Sequence, residues 1–257
     1  MNKKIAVVIA ACNDEKIIEK TIKSILWVNE IIIVLSKTSF DNTANIAKKY
    51  SNRIFYTNNI LGEQRLYGII KSQSEWILIL DTDETVSREL QNEIIKILTS
   101  NRSVDGYFIP FKNYFLNREL KSGNQIYTKL RLFKKNKQII EKTKIHPNIS
   151  VRGSCRTLHG YIHHYSFRSI PQTLKKFSYY ASIEAPLLYK KGDRVSLKKL
   201  TMYPAHMFYA IFVKDKGYKD GIWGFGLAIC FAIMEFLKYW YLLEIELKKR
   251  DPEINSG

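Results

Sequence analysis

The sequence predicts an α/β fold: a doubly wound, mainly parallel β-sheet flanked by helices, with a helical C-terminal segment. Residues 5–11, 30–35 and 76–80 are short apolar runs, which is typical of strands buried on both faces of a parallel sheet. The segments between these runs repeat apolar residues at helical spacing. Strand–helix–strand order of this kind favours parallel strands joined by right-handed crossovers.

Composition limits the possible partners. The chain has 257 residues, of which 46% are hydrophobic and 25% are charged, as in an ordinary globular protein. Its net charge of +17 indicates an anionic partner: nucleic acid, a phosphorylated substrate or an anionic membrane surface. The densest basic stretch, residues 112–144, equally fits a solvated face. The three cysteines show no metal-ligand spacing, which favours reduced thiols in a cytosolic protein.

The elements of the N-terminal half follow from the same patterns. The predicted elements, in chain order, are strand 5–11, a helix near 17–26, strand 30–35, helix 43–50, strand 53–56, helix 63–72 and strand 76–80. The chain contains neither Gly-x-Gly-x-x-Gly nor a phosphate-binding Gly-x-x-x-x-Gly-Lys motif. This disfavours a dinucleotide oxidoreductase and a P-loop ATPase.

The fourth strand ends abruptly in acidic residues. Asp81, Asp83 and Glu84 follow an apolar run, and the carboxyl ends of strands are where open α/β sheets bind ligands. At that edge Asp81 and Asp83 are suited to face a metal ion that bridges a diphosphate. The loops after the other parallel strands converge there, so a nucleotide is predicted to lie across them.

Four segments in the same order resemble inverting family-2 glycosyltransferases of the GT-A fold, and most closely the bacterial lipopolysaccharide core-biosynthesis glucosyltransferases. These segments are Cys12-Asn-Asp-Glu15, Ser36-Lys-Thr-Ser-Phe-Asp-Asn-Thr43, Gly62-Glu-Gln-Arg-Leu66 and Leu80-Asp-Thr-Asp-Glu84. The resemblance implies Mg²⁺ or Mn²⁺ as cofactor, with Asp83 and His164 as metal ligands. It implies a nucleotide-sugar site formed by Ala11, Asn13, Glu15, Ser36, Gln64, Arg65, Asp81, Thr82 and Asp83.

The departures from the family pattern bear on the donor and on activity. Ser36 stands where the family usually has an aspartate that recognises the base, and Leu66 where it often has asparagine. For Asp41 we favour a helix cap over a ligand contact.

An inverting displacement needs a base within hydrogen-bond reach of the acceptor hydroxyl. His146 and Glu141 are the two candidates, and Pro147 occupies the position where related enzymes often carry an acid. A second histidine of the resembling group matches His164. A hydrogen-bonded strand histidine is the competing interpretation for His163 and His164.

The second half of the chain turns helical. Ser87 is predicted to cap a helix, residues 104–111 to form a strand, and Leu130-Arg-Leu-Phe133 resembles a family strand near the acceptor side. From Pro171 onward, lysines lie among apolar stripes, which suits an anionic membrane surface. Residues 221–234 are uncharged, but Glu235 and Lys238 favour a core or interfacial helix over a spanning one.

Together these observations predict a catalytic domain at residues 1–168 and a helical, membrane-associated region at 169–257. The expected function is metal-dependent, inverting sugar transfer from a nucleotide-diphosphate donor to a lipopolysaccharide-core or other lipid-linked glycan acceptor. The expected location is cytoplasmic, peripheral on the inner face of the cytoplasmic membrane. The alternative is a catalytically silent nucleotide-binding scaffold that keeps the fold. A nucleic-acid-binding protein is disfavoured, because no recognition helix, aromatic platform or zinc site supports it.

Overall fold

The structure, a computed structural model, describes residues 3–58, 61–100, 103–141 and 148–250. The chain divides into two compact units. Unit 1 comprises residues 1–112 and 127–164, and unit 2 comprises residues 113–126 and 165–257. The sequence predicted a boundary after residue 168, and the division places residues 113–126 and 165–168 with the C-terminal helices.

Unit 1 is built on a mixed β-sheet flanked by helices. Its first elements are β1 (Ile5–Ala11), α1 (Ile18–Lys23), β2 (Glu30–Ser36), α2 (Thr43–Lys48), β3 (Arg53–Thr57), α3 (Leu61–Lys71) and β4 (Trp76–Asp81). The four strands lie in the order β3-β2-β1-β4 and are all parallel. This half of the sheet confirms the predicted doubly wound arrangement.

The strands that follow β4 are mainly antiparallel. The elements that follow are β5 (Glu84–Val86), α4 (Arg88–Thr99), β6 (Gly106–Phe115), β7 (Arg118–Glu119), β8 (Thr128–Lys134), β9 (Gln138–Glu141), β10 (Asn148–Val151), β11 (Cys155–Thr157) and β12 (Ile162–Phe167). Strand β8 pairs antiparallel with β4 on one side and with β6 on the other. The first three residues of β12 pair antiparallel with β5. Helical crossovers therefore end at β4, and strands that return next to it complete the sheet.

The parallel strands are buried on both faces, as their unbroken apolar character predicts. Alternate residues face opposite sides of the sheet, so Val7 and Ile9 belong to one apolar cluster while Ala6 and Val8 belong to the other. Helices α1 and α4 contribute to the first cluster, and α3 contributes Ile69 to the second. This packing fixes where the carboxyl ends of the strands emerge.

Unit 2 is mainly helical. Its helices are α5 (Ile170–Lys190), α6 (Leu197–Tyr209) and α7 (Gly221–Arg250), and a π-helical segment (Ala210–Lys214) continues α6. Ser169 and Ser196 cap α5 and α6, since their hydroxyls accept hydrogen bonds from Gln172 N and Lys199 N. Pro204, predicted as a kink, lies inside α6.

Helices α5 and α7 pack through aromatic and hydroxyl contacts. The ring centroids of Phe177 and Phe231 lie 4.6 Å apart, and the hydroxyls of Ser178 and Tyr241 share a 2.7 Å hydrogen bond. Among the described residues, one helix is long and apolar enough to cross a membrane, and it covers Gly217–Lys249, which is nearly all of α7. Length and composition alone do not distinguish a spanning helix from a core or interfacial one.

Candidate functional site

Two acids and a histidine meet at the carboxyl end of β4. Asp83 follows that strand, and Glu84 begins β5, where it lies opposite His164 of β12 in the antiparallel register. The Asp83 Oδ2 atom lies 3.6 Å from His164 Nε2. Asp83, Glu84 and His164 each offer one potential ligand atom, and these three atoms lie within 4.8 Å of one another. The structure therefore brings together the two residues predicted as metal ligands, with Glu84 as a third donor.

The His164 ring is held by its neighbours. Its Nδ1 atom shares a 3.3 Å hydrogen bond with the hydroxyl of Tyr127. The ring of Phe111 lies edge-on to it at 5.9 Å. These contacts direct Nε2 towards Asp83, which is the orientation that a histidine ligand requires.

Two arginines neutralise the other carboxylates. Arg131 Nη2 donates hydrogen bonds to Glu84 Oε1 at 2.6 Å and to Asp81 Oδ2 at 3.2 Å, and Arg65 Nη2 donates to Asp81 Oδ1. Asp81 N donates to Glu84 Oε2 at 2.9 Å. The side chains of Arg131 and Glu84 are 7% and 1% exposed, so their charges compensate each other in a buried setting.

Burial and pairing move the pKa values of these groups in opposite directions. Burial alone would raise the pKa of Asp81, but the charges of Arg131 and Arg65 outweigh it and hold that pKa well below its usual range. Burial raises the pKa of Glu84, despite the charge of Arg131, and the nearby Asp81 carboxylate adds to the increase. Asp81 is therefore the more firmly ionised of the two acids.

Each arginine keeps a buried donor that finds no acceptor. The Nε atoms of Arg65 and Arg131 are buried and have no hydrogen-bond partner among the residues that the structure describes. Lys129, two residues before Arg131 on β8, adds a third cation, whose pKa is lowered by burial and by the charge of Arg131. Unsatisfied buried N–H groups are costly, and an anionic ligand is one means of satisfying them.

The loops after β1 and β2 are joined by hydrogen bonds. Asn13 has a left-handed backbone with φ of 57°, and its Oδ1 accepts from Phe40 N at 2.9 Å. Glu15 Oε2 accepts from Asn42 N at 3.0 Å, while Glu15 N donates to Asp41 Oδ2 at 3.0 Å. Asn13 and Glu15, both predicted in the nucleotide site, thus hold this edge of the sheet together.

Asp41 and Asp14 carry much of that junction. The Asp41 Oδ1 atom accepts from Thr43 N, the first residue of α2, at 3.0 Å, so Asp41 satisfies a helix N-terminal donor. Asp14 Oδ2 accepts from Cys12 N at 2.8 Å. Burial raises the pKa of Asp14 to about 6, and the charge of Asp83 contributes to the increase.

The other predicted site residues occupy the same edge or fall outside the described side chains. Ala11 ends β1, and Ser36 ends β2 with its Oγ 2.7 Å from Thr38 Oγ1. Gln64 is buried in α3, and the carbonyl of Thr82 accepts from Thr21 Oγ1 at 2.7 Å. His146 lies outside the described residues. Glu141 ends β9, but its side chain is not described.

Arg131, Glu84 and Asp14 belong to this cluster but were not among the predicted site residues, although Glu84 was noted among the acids that follow β4. Arg131 interrupts an apolar strand, and a charge in such a position was the available signal for a buried ion pair. The basic stretch that contains Arg131 was interpreted either as a contact for a phosphorylated acceptor or diphosphate or as surface charge, and not as part of a buried ion pair. A cavity of about 720 Å³ lies elsewhere in unit 1, where the amino ends of β2 and β3 lie, and none of the predicted site residues lines it.

Acidic and basic side chains gather at the carboxyl end of a parallel strand, which is the edge where open α/β sheets bind ligands. The chain belongs to glycosyl transferase family 2, whose family model matches residues 6–157.

The similar proteins include both uncharacterized and named glycosyltransferases. An uncharacterized glycosyltransferase of Rickettsia typhi is 28% identical, over 97% of this chain and 90% of its own length. The lipopolysaccharide core biosynthesis glycosyltransferase LpsC of Rhizobium meliloti is 22% identical, over 97% and 95%. Among solved structures, S. aureus TarS gives a TM-score of 0.45 at 13% identity, covering 96% of this chain and 92% of that chain, a similarity too low to inform function.

Proposed function

We propose that this protein transfers a sugar from a nucleotide-diphosphate donor to a lipopolysaccharide-core or other lipid-linked glycan acceptor, with inversion, on the inner face of the cytoplasmic membrane. Sugar transfer itself follows from membership of the family. The lipopolysaccharide acceptor is supported by the similarity to LpsC along nearly the whole chain. The observation that carries the mechanism is the meeting of Asp83 and His164 at the carboxyl end of β4.

The donor atoms at this position fit a divalent cation. Asp83 and Glu84 offer carboxylate oxygens and His164 offers an imidazole nitrogen, a mixed set that suits Mg²⁺ or Mn²⁺. Asp83 and His164 would hold the ion. Glu84 would not be a primary ligand, because its carboxylate already pairs with Arg131. When bound, such an ion offsets the negative charge that develops on a departing diphosphate.

The arginines supply a second source of positive charge. Arg65 and Arg131 are fixed by Asp81, and the buried Nε of each still lacks a protein acceptor. A diphosphate at this edge would meet the guanidinium of Arg65, whose side chain is 22% exposed. Because the guanidinium groups are held in place before the reaction, they stabilise developing charge without reorganising.

The remaining requirement is a base for the acceptor hydroxyl. His146 and Glu141 stay the two candidates for this role, and single substitution of each distinguishes them. Substitution of the residue that acts as the base should abolish turnover and leave binding of the donor nucleotide intact. The reason is that proton removal contributes to the transition state and not to nucleotide binding.

The test is a screen of nucleotide-diphosphate sugars for donor turnover by the purified protein in Mn²⁺ or Mg²⁺, with and without lipid-linked glycan acceptors. The wild type should consume at least one donor, and Asp83→Ala should abolish turnover while the protein stays folded. Asp105→Asn is the matched control and should keep its turnover, because Asp105 pairs with Lys134 and not with a residue of the site. Full activity of Asp83→Ala would refute the assignment.

The silent scaffold is the second candidate, motivated by Ser36 and Leu66 at positions where the resembling family usually has aspartate and often has asparagine. Calorimetric titration with UDP or GDP in the presence of Mn²⁺ separates the two candidates. Nucleotide binding without turnover of any donor would favour the scaffold.

A further inference from the structure

One line of α7 is apolar and uncovered. Large apolar side chains recur every three or four residues along it: Ile222, Phe225, Ile229, Ile233, Phe236 and Trp240. With 3.6 residues per turn, this spacing places them on one face of the helix. Five of the six are more than a third exposed, and Ile233 is partly exposed. The stripe spans about 27 Å at 1.5 Å per residue.

Helix α6 extends this surface. Met202, Ala205, Tyr209 and Val213 repeat the same spacing along α6 and its π-helical continuation, and all four are exposed. A groove of about 430 Å³ is lined only by apolar residues of the two helices, which are Pro204, Ala205, Phe208, Ile229, Ala232, Ile233 and Phe236. The two stripes and the groove therefore form one surface, here called the α6–α7 face.

The opposite side of α7 is occupied by charges within unit 2. Lys238 Nζ lies 2.7 Å from Glu235 Oε2 and 3.8 Å from Glu184 Oε2 of α5. Glu246 Oε1 accepts a hydrogen bond from Val195 N at 2.7 Å. A helix that crossed a bilayer would carry these groups into hydrocarbon at considerable cost. A helix that lies in the plane of the membrane keeps them on its protein side.

Cations lie at the turn between α6 and α7. Lys214, Lys216 and Lys219 are exposed there. A cavity of about 490 Å³ includes Lys219 in its lining, together with Arg118, Lys121 and Trp223. The Arg118 guanidinium lies 5.5 Å from the Trp223 ring centre. Tryptophan and basic side chains of this kind are typical of the headgroup level of a membrane.

We propose that the α6–α7 face docks in the plane of an anionic lipid bilayer, with its apolar side chains beneath the headgroups and the turn lysines against the lipid phosphates. Charge complementarity identifies the occupant, because the apolar face is flanked by cations in a chain of net charge +17. The inference rests on the membrane location in the proposed function, which it assigns to one surface, and it needs neither donor nor metal.

The experiment is flotation of the purified full-length protein with vesicles of phosphatidylcholine alone or with added phosphatidylglycerol. The wild type should float with the anionic vesicles, and binding should weaken as salt is raised. Phe236→Asp should lower partitioning at least about tenfold, because it removes one large exposed apolar side chain from the face that would enter the bilayer. Lys219→Glu should selectively reduce binding to the anionic vesicles.

Controls separate docking from folding and from catalysis. Ile70→Asp introduces the same charge at a residue of α3 that is 65% exposed, and it should float like the wild type. Asp83→Ala should also float normally even if it transfers no sugar. Trp223 and Trp240 provide a direct readout: brominated lipids should quench wild-type fluorescence, and this quenching should shrink in the double variant Trp223→Phe, Trp240→Phe.

Three results would overturn the proposal. The first is failure of the wild type to bind anionic vesicles. The second is wild-type flotation by Phe236→Asp. The third is resistance of membrane-bound protein to extraction by alkaline carbonate, which indicates a spanning helix. A concentration-dependent dimer that Phe236→Asp abolishes, without any vesicle binding, would assign the face to a second copy of the chain.

Discussion

His164 Nε2 lies 3.6 Å from Asp83 Oδ2, although the two residues are far apart in the chain. The pairing of β12 with β5 produces this proximity, because it sets His164 opposite Glu84, the residue next to Asp83. The register of these two strands thus places His164 next to Asp83.

The first prediction concerns His164 as a ligand. His164→Ala should raise the Mn²⁺ concentration needed for half-maximal donor turnover by at least about tenfold, because it removes one of three possible donors. His163→Ala is the control, since the His163 ring packs edge-on against Tyr161, 4.9 Å away. Unchanged Mn²⁺ dependence in His164→Ala would favour the competing interpretation of a hydrogen-bonded strand histidine.

The second prediction concerns the buried ion pair. Arg131→Met should lower the free energy of unfolding by about 3–5 kcal/mol, because it leaves Glu84 buried without its counter-charge. Urea denaturation measures this loss. In a Glu84→Gln background the same substitution should cost clearly less, and equal costs in both backgrounds would show that the pair is not coupled.

The third prediction concerns pH. The pKa of Asp14 is raised to about 6 by burial, so the folded state holds a proton that the unfolded state releases near pH 4. The contribution of Asp14 to stability, about 2–3 kcal/mol, should therefore be lost as pH rises from 4 to 6. Asp14→Asn should flatten this part of the curve, measured by urea denaturation in chelator. A variant curve parallel to the wild-type curve would rule out this contribution.

The fourth prediction concerns the packing of α3 against the sheet. This helix carries Gln64 and Arg65. A Cβ atom on Gly68 would lie 2.4 Å from Val8 Cγ1. Gly68→Ala should therefore destabilise the protein by about 1–3 kcal/mol, as overpacking does, and should weaken donor binding as Arg65 shifts. Adding Val8→Ala makes room for the new methyl group and should restore part of the stability, as thermal unfolding would show. No recovery would mean that the clash lies elsewhere.

The sequence predicted the parallel half of the fold because each strand there is a short apolar run and each crossover has helical spacing. It also predicted that Asp83 and His164 belong to one site, through family resemblance and not through spacing. Their role as metal ligands stays a prediction. Local patterns predict these strands and helices because the spacing of apolar residues reflects which side of each element is buried.

The buried ion pair of Arg131 and Glu84 could not be predicted from local sequence patterns. It depends on β8 pairing antiparallel with β4, which brings a strand arginine to the acidic end of its neighbour. The local signal is a charge between apolar residues, at Leu130-Arg-Leu-Phe133, and that signal does not identify the acid with which the arginine pairs. The apolar face of α6 and α7 is a similar case, since only the structure tells which side of each helix is covered.

The most direct test of the account is electron paramagnetic resonance of Mn²⁺ titrated into the protein with a nucleoside diphosphate. The wild type should take up about one Mn²⁺ per chain when nucleotide is present, and Asp83→Asn should lose this binding while its unfolding curve stays close to that of the wild type. Equal Mn²⁺–nucleotide binding by the wild type and Asp83→Asn would contradict the proposed metal site and the transfer mechanism built on it.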